Sequence, residues 1–152
     1  MRRGDYGKTR KQQVIDESVQ MHFGFVVQPP APLEILRCVG GLEIAAMIGF
    51  VLRAASLRMT EICDGLISTA AAALAYALAP ALRDYLFAGH RYEEPWHQYL
   101  LRSMGLRPIL DLGMRLVKGL GAVLAMPLIE SSVKLFTEMA TFSSAGVSTA
   151  SE

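Results

Sequence analysis

The sequence has few of the residues that would assign it to a specialised class of protein. It contains two cysteines and one tryptophan, and its formal net charge is only +1. Two cysteines are too few for a disulfide scaffold and lack metal-site spacing, so we expect Cys38 and Cys63 to be reduced, buried thiols. The balanced charge gives no reason to expect nucleic acid or an acidic membrane surface as a partner. These features favour a cytoplasmic protein without cofactor or metal.

Long uninterrupted apolar runs are also scarce, although hydrophobic residues make up 52% of the 152 residues. Segment 66–82 carries no charge, but it is dominated by alanine and contains Pro80. Segment 40–52 is shorter and carries Glu43. A membrane span usually needs about 20 strongly apolar residues, and alanine contributes little to insertion. We therefore expect buried helices of a soluble domain and no membrane partner.

The order of the predicted elements indicates an α/β fold. Val14, Ile15 and Val19 recur at helical spacing in the first predicted helix. Helices are predicted over 8–22, 33–38, 42–56, 66–78, 95–104 and 121–141, and strands over 59–63, 84–88 and 108–112. Strands separated by helices favour parallel pairing. We predict one domain over 1–152, a partial Rossmann-like three-layer domain with a parallel sheet of few strands and many helices, and a flexible tail over 143–152.

Two predicted loops mark a candidate site without reference to any family. Asp64 and Gly65 follow the first predicted strand, and Gly89, His90 and Arg91 follow the second. Ligands of parallel sheets bind at the carboxyl ends of the strands, where the chain turns into the next helix. The two loops are therefore expected to lie side by side at a binding site.

Six short motifs, in order along the chain, carry a family resemblance. They are VGGLEIAAM (39–47), DGLISTAA (64–71), APALRDYL (79–86), AGHR (88–91), LDLGMRL (110–116) and LAMP (124–127). With this set, residues 8–147 resemble the carboxyl-terminal half of the nicotinate-nucleotide–dimethylbenzimidazole phosphoribosyltransferases. We expect the chain to correspond to that half of the family's catalytic domain.

The resemblance implies an activity and its substrates. Family members move phosphoribose from nicotinate mononucleotide to 5,6-dimethylbenzimidazole, which yields the α-ribazole 5′-phosphate of the cobalamin lower ligand. A glutamate accepts the proton of the attacking benzimidazole nitrogen, as a general base. The remaining contribution is positioning and phosphate binding. The family also implies a homodimer, or a partner chain that supplies the missing half, and no cofactor.

The chain departs from the family where the base should stand. The family's Gly-Glu-Gly segment follows the Met-Arg-Leu motif, and Lys118 occupies the position of that glutamate. An ammonium has no lone pair to accept a proton, and its charge repels the cationic nicotinate ring. Tyr92 replaces a serine that is close to the phosphoribosyl group, Trp96 replaces a glycine, and Leu120 replaces a small residue. We expect little activity from the chain alone.

The resemblance implies further substrate-binding residues. Lys11 falls where the family has its phosphate-binding lysine, although a solvated lysine on a helix is an equal alternative. Arg91 is assigned to a phosphate, or else to a surface ion pair with Glu93 or Glu94. The other positions assigned to substrate binding are Asp64, Gly65, Tyr92 and Leu116.

Other polar residues are interpreted as structural. Glu43 is expected to favour a helix start by charge, and Ser68 and Thr69 are expected to cap a helix. The three histidines, His22, His90 and His97, are too scattered for a metal site, and His90 is expected to be structural.

Two function classes remain open on this sequence. The first is an enzyme of the family, as a truncated copy or one part of a split enzyme. The second is a non-catalytic binding or oligomerisation partner that keeps the family scaffold. A membrane-associated small protein is a weaker third, based on hydrophobicity alone.

Overall fold

Three short strands and six helices make up the part of the chain that the computed structural model describes, residues 3–24, 28–114 and 118–146. The strands are β1 (Glu61–Cys63), β2 (Leu86–His90) and β3 (Pro108–Leu110). A 3-10 helix, Pro80–Tyr85, precedes β2. The helices are α1 (Arg3–Phe23), α2 (Pro32–Val39), α3 (Leu42–Ser56), α4 (Leu66–Leu78), α5 (Pro95–Ser103) and α6 (Leu120–Glu138).

The strands form one parallel sheet in the order β1-β2-β3. Cys63 pairs with Ala88, and His90 pairs with Leu110. Each strand is separated from the next by a helix, which is the connection that parallel neighbours require. The predicted parallel α/β fold is confirmed. Because β2 is central, β1 and β3 are the edges of the described sheet.

One face of the sheet is closed by α4. The side chains of Ala71, Ala72 and Ala75 are 0% exposed and belong to one core with Leu86 and Ala88. Small side chains let the helix backbone lie close to the strands, so this layer is dense. Helices α2, α3 and α5 pack around α4 on the same side.

The opposite face carries α6, which crosses all three strands. Side chains alternate between the two faces of a strand, so Phe87 and Gly89 point away from Leu86 and Ala88. A Cβ on Gly89 would lie 2.9 Å from the carbonyl oxygen of Gly121, so the first turn of α6 rests directly on β2. The two faces together give the predicted three-layer arrangement.

Most of α6 beyond that first turn is exposed. Its large apolar residues with exposed fractions above 40% are Leu120, Val123, Leu124, Met126, Leu128, Val133, Leu135 and Phe136. Within the described residues, α6 is also the one helix with the length and composition to cross a membrane. Of its apolar stretch, 11% is buried inside the protein. Segment 66–82, by contrast, contains the core helix α4, as expected.

The bounds of several predicted elements were wrong, because the first strand starts at Glu61, the third ends at Leu110, the first helix starts at Arg3 and the last helix ends at Glu138. The second strand was predicted over 84–88, but Asp84 and Tyr85 lie in the 3-10 helix and the strand continues to His90. Pro80 starts that helix, and pairing with β3 extends the strand through Gly89. Of the predicted tail, residues 143–146 form an exposed turn, while 147–152 lie outside the described residues.

Candidate functional site

Three segments meet at the carboxyl edge of the sheet. Asp64 and Gly65 follow β1, Arg91 follows β2, and the turn at Lys118 and Gly119 leads into α6. The first two segments are neighbours because β1 and β2 pair in parallel with their ends aligned. The sequence predicted this pair of loops, and the fold adds the start of α6 to them.

The carboxylate of Asp64 joins β1 to α6. Its Oδ2 accepts a hydrogen bond from the backbone N–H of Gly119 at 2.9 Å, and its Oδ1 accepts one from Ala122 at 3.0 Å. Amides of a first helical turn have no partner within their own helix, and an anion there is also favoured by the helix dipole. Asp64 therefore caps a helix 55 residues further along the chain. A contact between Asp64 and substrate stays a prediction.

Two glycines allow the turn before α6 to pack closely against the sheet. Gly119 adopts a φ of 84°, which is left-handed backbone that glycine accepts without strain. A Cβ on Gly121 would overlap the ring of His90, so only glycine fits at that point. The sequence between Lys118 and Ala122 is thus shaped for close contact with the sheet.

The turn between β1 and α4 is closed by Ser68. Its hydroxyl accepts a hydrogen bond from the backbone N–H of Asp64 at 3.1 Å and donates one to the carbonyl of Gly65 at 3.0 Å. Gly65 is the N-cap residue of α4. The capping role expected for Ser68 was wrong, because no side chain caps the start of α4 and Ser68 lies within the helix. Its two bonds instead fix the backbone that carries Asp64.

His97 is fully buried and satisfied at both ring nitrogens. Its Nδ1 accepts a hydrogen bond from the backbone N–H of Tyr92 at 3.2 Å, and its Nε2 lies 3.0 Å from Thr69 Oγ1. Because Nδ1 is an acceptor, the ring proton is on Nε2 and is donated to Thr69. Burial lowers the pKa of His97, and neighbouring His90 lowers it further. Thr69 thus bonds a core histidine, where the sequence suggested a helix cap.

His90 lies beside this pair, also 0% exposed. Its ring centroid is 6.2 Å from that of His97, and its Nε2 is 3.6 Å from Asp64 Oδ1. Neither ring nitrogen has a hydrogen-bond partner among the described residues. Local spacing did not indicate that His90 and His97 meet, since seven positions separate them and α5 turns one back toward the other.

In residues 3–24, 28–114 and 118–146, no group of three or more His, Cys, Asp or Glu side chains has an arrangement that could hold a metal ion. His22, the third histidine, is exposed on α1.

Arg91 is held at the end of β2 by β3. Its backbone N–H donates to the carbonyl of Leu110 at 2.7 Å, and its Nε donates to Asp111 Oδ1 at 3.0 Å. Both side chains are about half exposed. Asp111 is therefore an ion-pair partner that the sequence did not suggest. Phosphate binding by Arg91 stays a prediction.

The remaining predicted site residues differ in their surroundings. Lys118 is exposed, next to the Gly119 amide that Asp64 binds. Tyr92 is half-buried, and its ring meets those of His90 and His97 edge-on at 6.1 Å. Lys11 is exposed on α1, and Leu116 lies outside the described residues. The sequence did not predict this contact between the ring of Tyr92 and the two histidine rings.

A family model described as phosphoribosyltransferase matches residues 4–147 of the chain. A relative from Geobacter sp. strain M21 is 48% identical over 144 residues, which cover 95% of this chain and 40% of that protein. A relative from Chlorobaculum tepidum is 46% identical over 138 residues, or 91% of this chain and 38% of that protein. Both are named nicotinate-nucleotide–dimethylbenzimidazole phosphoribosyltransferase.

A solved structure of the enzyme of that name from Thermus thermophilus is also similar. It superposes with a TM-score of 0.87 at 42% identity, covering 97% of this chain and 43% of the other. The family match and this structural similarity place the parallel α/β domain among the phosphoribosyltransferases. The chain belongs to the nicotinate-nucleotide–dimethylbenzimidazole phosphoribosyltransferase family. It spans about 40% of the length of the curated relatives it matches.

Proposed function

We propose that this chain is one part of a phosphoribosyltransferase that moves phosphoribose from nicotinate mononucleotide to 5,6-dimethylbenzimidazole, in the synthesis of the cobalamin lower ligand. The match over residues 4–147 supports the assignment. So does the meeting of the β1 loop, the β2 loop and the start of α6 at one edge of the sheet. A cytoplasmic location fits such a biosynthetic step.

The observation that carries the proposal is the pair of hydrogen bonds from Gly119 and Ala122 to Asp64. They hold the segment after residue 118 against the carboxyl end of β1. In the family, the position that corresponds to residue 118 bears the glutamate that accepts the benzimidazole proton. The two hydrogen bonds to Asp64 therefore support the proposal that the chain after residue 118 is placed as in the family.

The side chain at that position cannot act as the base. The ammonium of Lys118 is exposed to water and has no lone pair to accept a proton. We therefore propose that the chain alone has little activity, and that the site needs the remaining part of the family fold. Association as a homodimer or with a partner chain would cover the exposed apolar side of α6.

The replacement at residue 118 also supports a second candidate function. A chain that keeps Asp64, Gly65 and the close α6 packing but has lost the base would serve as a non-catalytic binding or oligomerisation partner. The two candidates differ in whether product forms once the remaining part of the family fold is present, so binding and turnover should be measured separately.

The turnover test uses the purified chain with nicotinate mononucleotide and 5,6-dimethylbenzimidazole. We expect no α-ribazole phosphate by chromatography. Lys118→Glu restores a carboxylate, and general base catalysis is typically worth about 10²–10⁴-fold. We nevertheless expect no measurable product from this variant, because Tyr92 and Leu120 remain. Lys134→Glu, an exposed charge change on α6, is the control; robust product formation from the unchanged chain would contradict the expectation.

The binding test is calorimetry with nicotinate mononucleotide alone. We expect no heat of binding for the unchanged chain or for Lys118→Glu, since removing one charge does not remove the side chains that fill the site. Micromolar binding to either form would show that the pocket persists, and Lys11, Asp64 and Arg91 would then be the residues to replace.

A further inference from the structure

The loop between β2 and α5, residues 91–94, carries two of the candidate site residues, Arg91 and Tyr92. The backbone of Arg91 is held by β3, because its N–H donates to the carbonyl of Leu110 at 2.7 Å. β3 ends at Leu110, and the next backbone N–H, that of Tyr92, donates instead to a side chain, the imidazole of His97, at 3.2 Å. The loop is therefore held by the sheet at its start and by a side chain one residue later.

His97 occupies the third position of α5. The helix begins at Pro95, and Glu94 is its N-cap residue. In the common capping box, a glutamate or glutamine at the third position reaches back to the N-cap backbone N–H. His97 reaches two residues further back, to Tyr92, and its acceptor is a ring nitrogen. The start of α5 thus holds the preceding loop through an acceptor that protonation can remove.

Only the neutral ring of His97 can make this contact. Its Nδ1 accepts from Tyr92 and its Nε2 lies 3.0 Å from Thr69 Oγ1 on α4, so the ring proton is on Nε2. An imidazolium carries N–H groups on both nitrogens and would turn a donor toward the Tyr92 N–H. Protonation therefore replaces a hydrogen bond with two opposed donors.

The titratable groups around His97 come from three segments. The ring of His90 on β2 is 6.2 Å away, the ring of Tyr92 is edge-on at 6.1 Å, and Asp64 follows β1. The neighbouring helix α4 has no charged residue. Burial lowers the pKa of His97, His90 lowers it further, and Asp64 raises it. A cation in the first turn of a helix is also unfavourable, so the fold favours the neutral ring.

His97 is placed to hold the loop and not to touch a ligand. Its side chain is 0% exposed, and both ring nitrogens already have partners. Any influence on the site must therefore pass through Tyr92, which is half-buried and packs its ring edge-on against His97. The loop that carries Tyr92 lies at the carboxyl edge of the sheet, where the candidate site is.

We propose that His97 is a positioning residue for the candidate site: its neutral ring holds the loop of residues 91–94 through the backbone of Tyr92, and protonation of the ring releases that loop. The inference rests on the proposed function for what the loop binds. Release of the loop would weaken the site in acid without a change in any residue that touches a ligand.

Two matched variants separate the two nitrogens of the ring. The side-chain oxygen of asparagine can take the place of Nδ1, and the side-chain amide of glutamine can take the place of Nε2. His97→Asn therefore keeps an acceptor for Tyr92 and loses the contact with Thr69, while His97→Gln keeps that contact and loses the acceptor. Each variant loses one buried hydrogen bond, so their losses of overall stability should be similar.

Hydrogen exchange of the purified chain measures the loop directly. At neutral pH, we expect the Tyr92 amide to exchange about tenfold faster in His97→Gln than in the unchanged chain, and within about twofold of the unchanged rate in His97→Asn. The amide of Arg91, which is bound to Leu110, is the internal control and should be unaffected in both variants. Equal exchange of the Tyr92 amide in the two variants would overturn the proposal.

The pH profile distinguishes an acid-sensitive contact from a merely structural one. In the unchanged chain, protection of the Tyr92 amide, corrected for the intrinsic effect of pH on exchange, should fall as the pH drops below 6.5 through the lowered pKa of His97. Protection of the Arg91 amide should persist, and His97→Asn should abolish the pH dependence at Tyr92. A loss of protection that occurs at both amides together would contradict release of the loop.

Phosphoribose transfer is a separate measurement, because hydrogen exchange needs no substrate. If the chain forms no product when the remaining part of the family fold is supplied, the result counts against the proposed function, while the exchange data still support the positioning role. Product formation by an assembly in which His97→Gln and the unchanged chain show equal exchange at Tyr92 would support the function and contradict the positioning role.

Discussion

The two faces of the sheet differ in how completely they are covered. On the α4 face, Ala71, Ala72 and Ala75 are 0% exposed against the strands. On the α6 face, a gap of about 400 Å³ separates the sheet from the second half of the helix, and Phe136 is 92% exposed. The α4 face is packed as densely as a protein core. The α6 face leaves large apolar side chains exposed.

The start of α6 at the candidate site is held in place even though the rest of the α6 face is open. The α6 helix is fixed at its first turn by Gly121 against His90 and by Asp64 on the amides of Gly119 and Ala122. These contacts lie at the carboxyl edge of the sheet, where the candidate site is. The open remainder of α6 lies farther along the helix.

The largest expected effect comes from breaking the closed face. Ala72→Leu adds side-chain volume where no space exists, and we expect it to lower the free energy of unfolding by about 1–3 kcal/mol. Ala77→Leu on the exposed side of α4 is the matched control, with an expected change within about 0.5 kcal/mol. Urea unfolding measures both, and equal effects would show that the face is not densely packed.

The next effect comes from removing the bridge between the faces. Asp64→Ala leaves the amides of Gly119 and Ala122 without their acceptor, and loss of a helix cap costs about 0.5–2 kcal/mol. Hydrogen exchange at those two amides should be faster than in the unchanged chain. Asp111→Ala, which removes a surface carboxylate, is the control. Unchanged exchange at both amides would contradict the bridge.

Acid should weaken the closed face through His97. Burial lowers the pKa of His97 from its usual 6.5, so the folded chain binds fewer protons than the unfolded chain once the pH falls below that value. The stability that the neutral ring provides is complete above pH 6.5 and is lost as the pH falls through the lowered pKa. His97→Gln should flatten this part of the curve of unfolding free energy against pH, while the exposed His22→Gln should not.

Base should weaken the β1 edge of the sheet through Glu61, by a smaller amount because the side chain of Glu61 is only partly buried. The raised pKa of about 7 means that the folded chain keeps a proton that the unfolded chain loses above about pH 4.5. Stability from this group is complete below pH 4.5 and is lost as the pH rises to about 7. Glu61→Gln should remove the decline in unfolding free energy over that range, and a decline that persists in this variant would have another source.

The smallest effect belongs to the exposed pair at the site. Arg91→Ala removes the ion pair with Asp111, and exposed pairs contribute about 0–1 kcal/mol. We expect a change at the low end of that range, weaker still at high salt. A loss as large as that from Ala72→Leu would mean that Arg91 has a structural role in joining β2 to β3.

Much of the fold could be predicted from local patterns. The helix over 42–56 was predicted with the bounds observed for α3, since Gly41 precedes an unbroken helical run. The second strand was misplaced because its true end depends on pairing with β3, which is not a local property. Of the predicted loop pair, Asp64, Gly65 and Arg91 do follow strands that end at one edge of the sheet, whereas Gly89 and His90 belong to β2.

The sequence by itself determined the family and the order of the elements, because these depend on residue identity and local spacing. The assignment of Lys118 to the position of the family's base stays a prediction. Only the tertiary structure decided that Asp64 caps α6, that His97 bonds Thr69, and that Oε1 of Glu61 is buried without a partner among the described residues. These contacts join residues far apart in the chain, and their strength depends on burial and on backbone amides. Neither property can be read from the spacing of side chains.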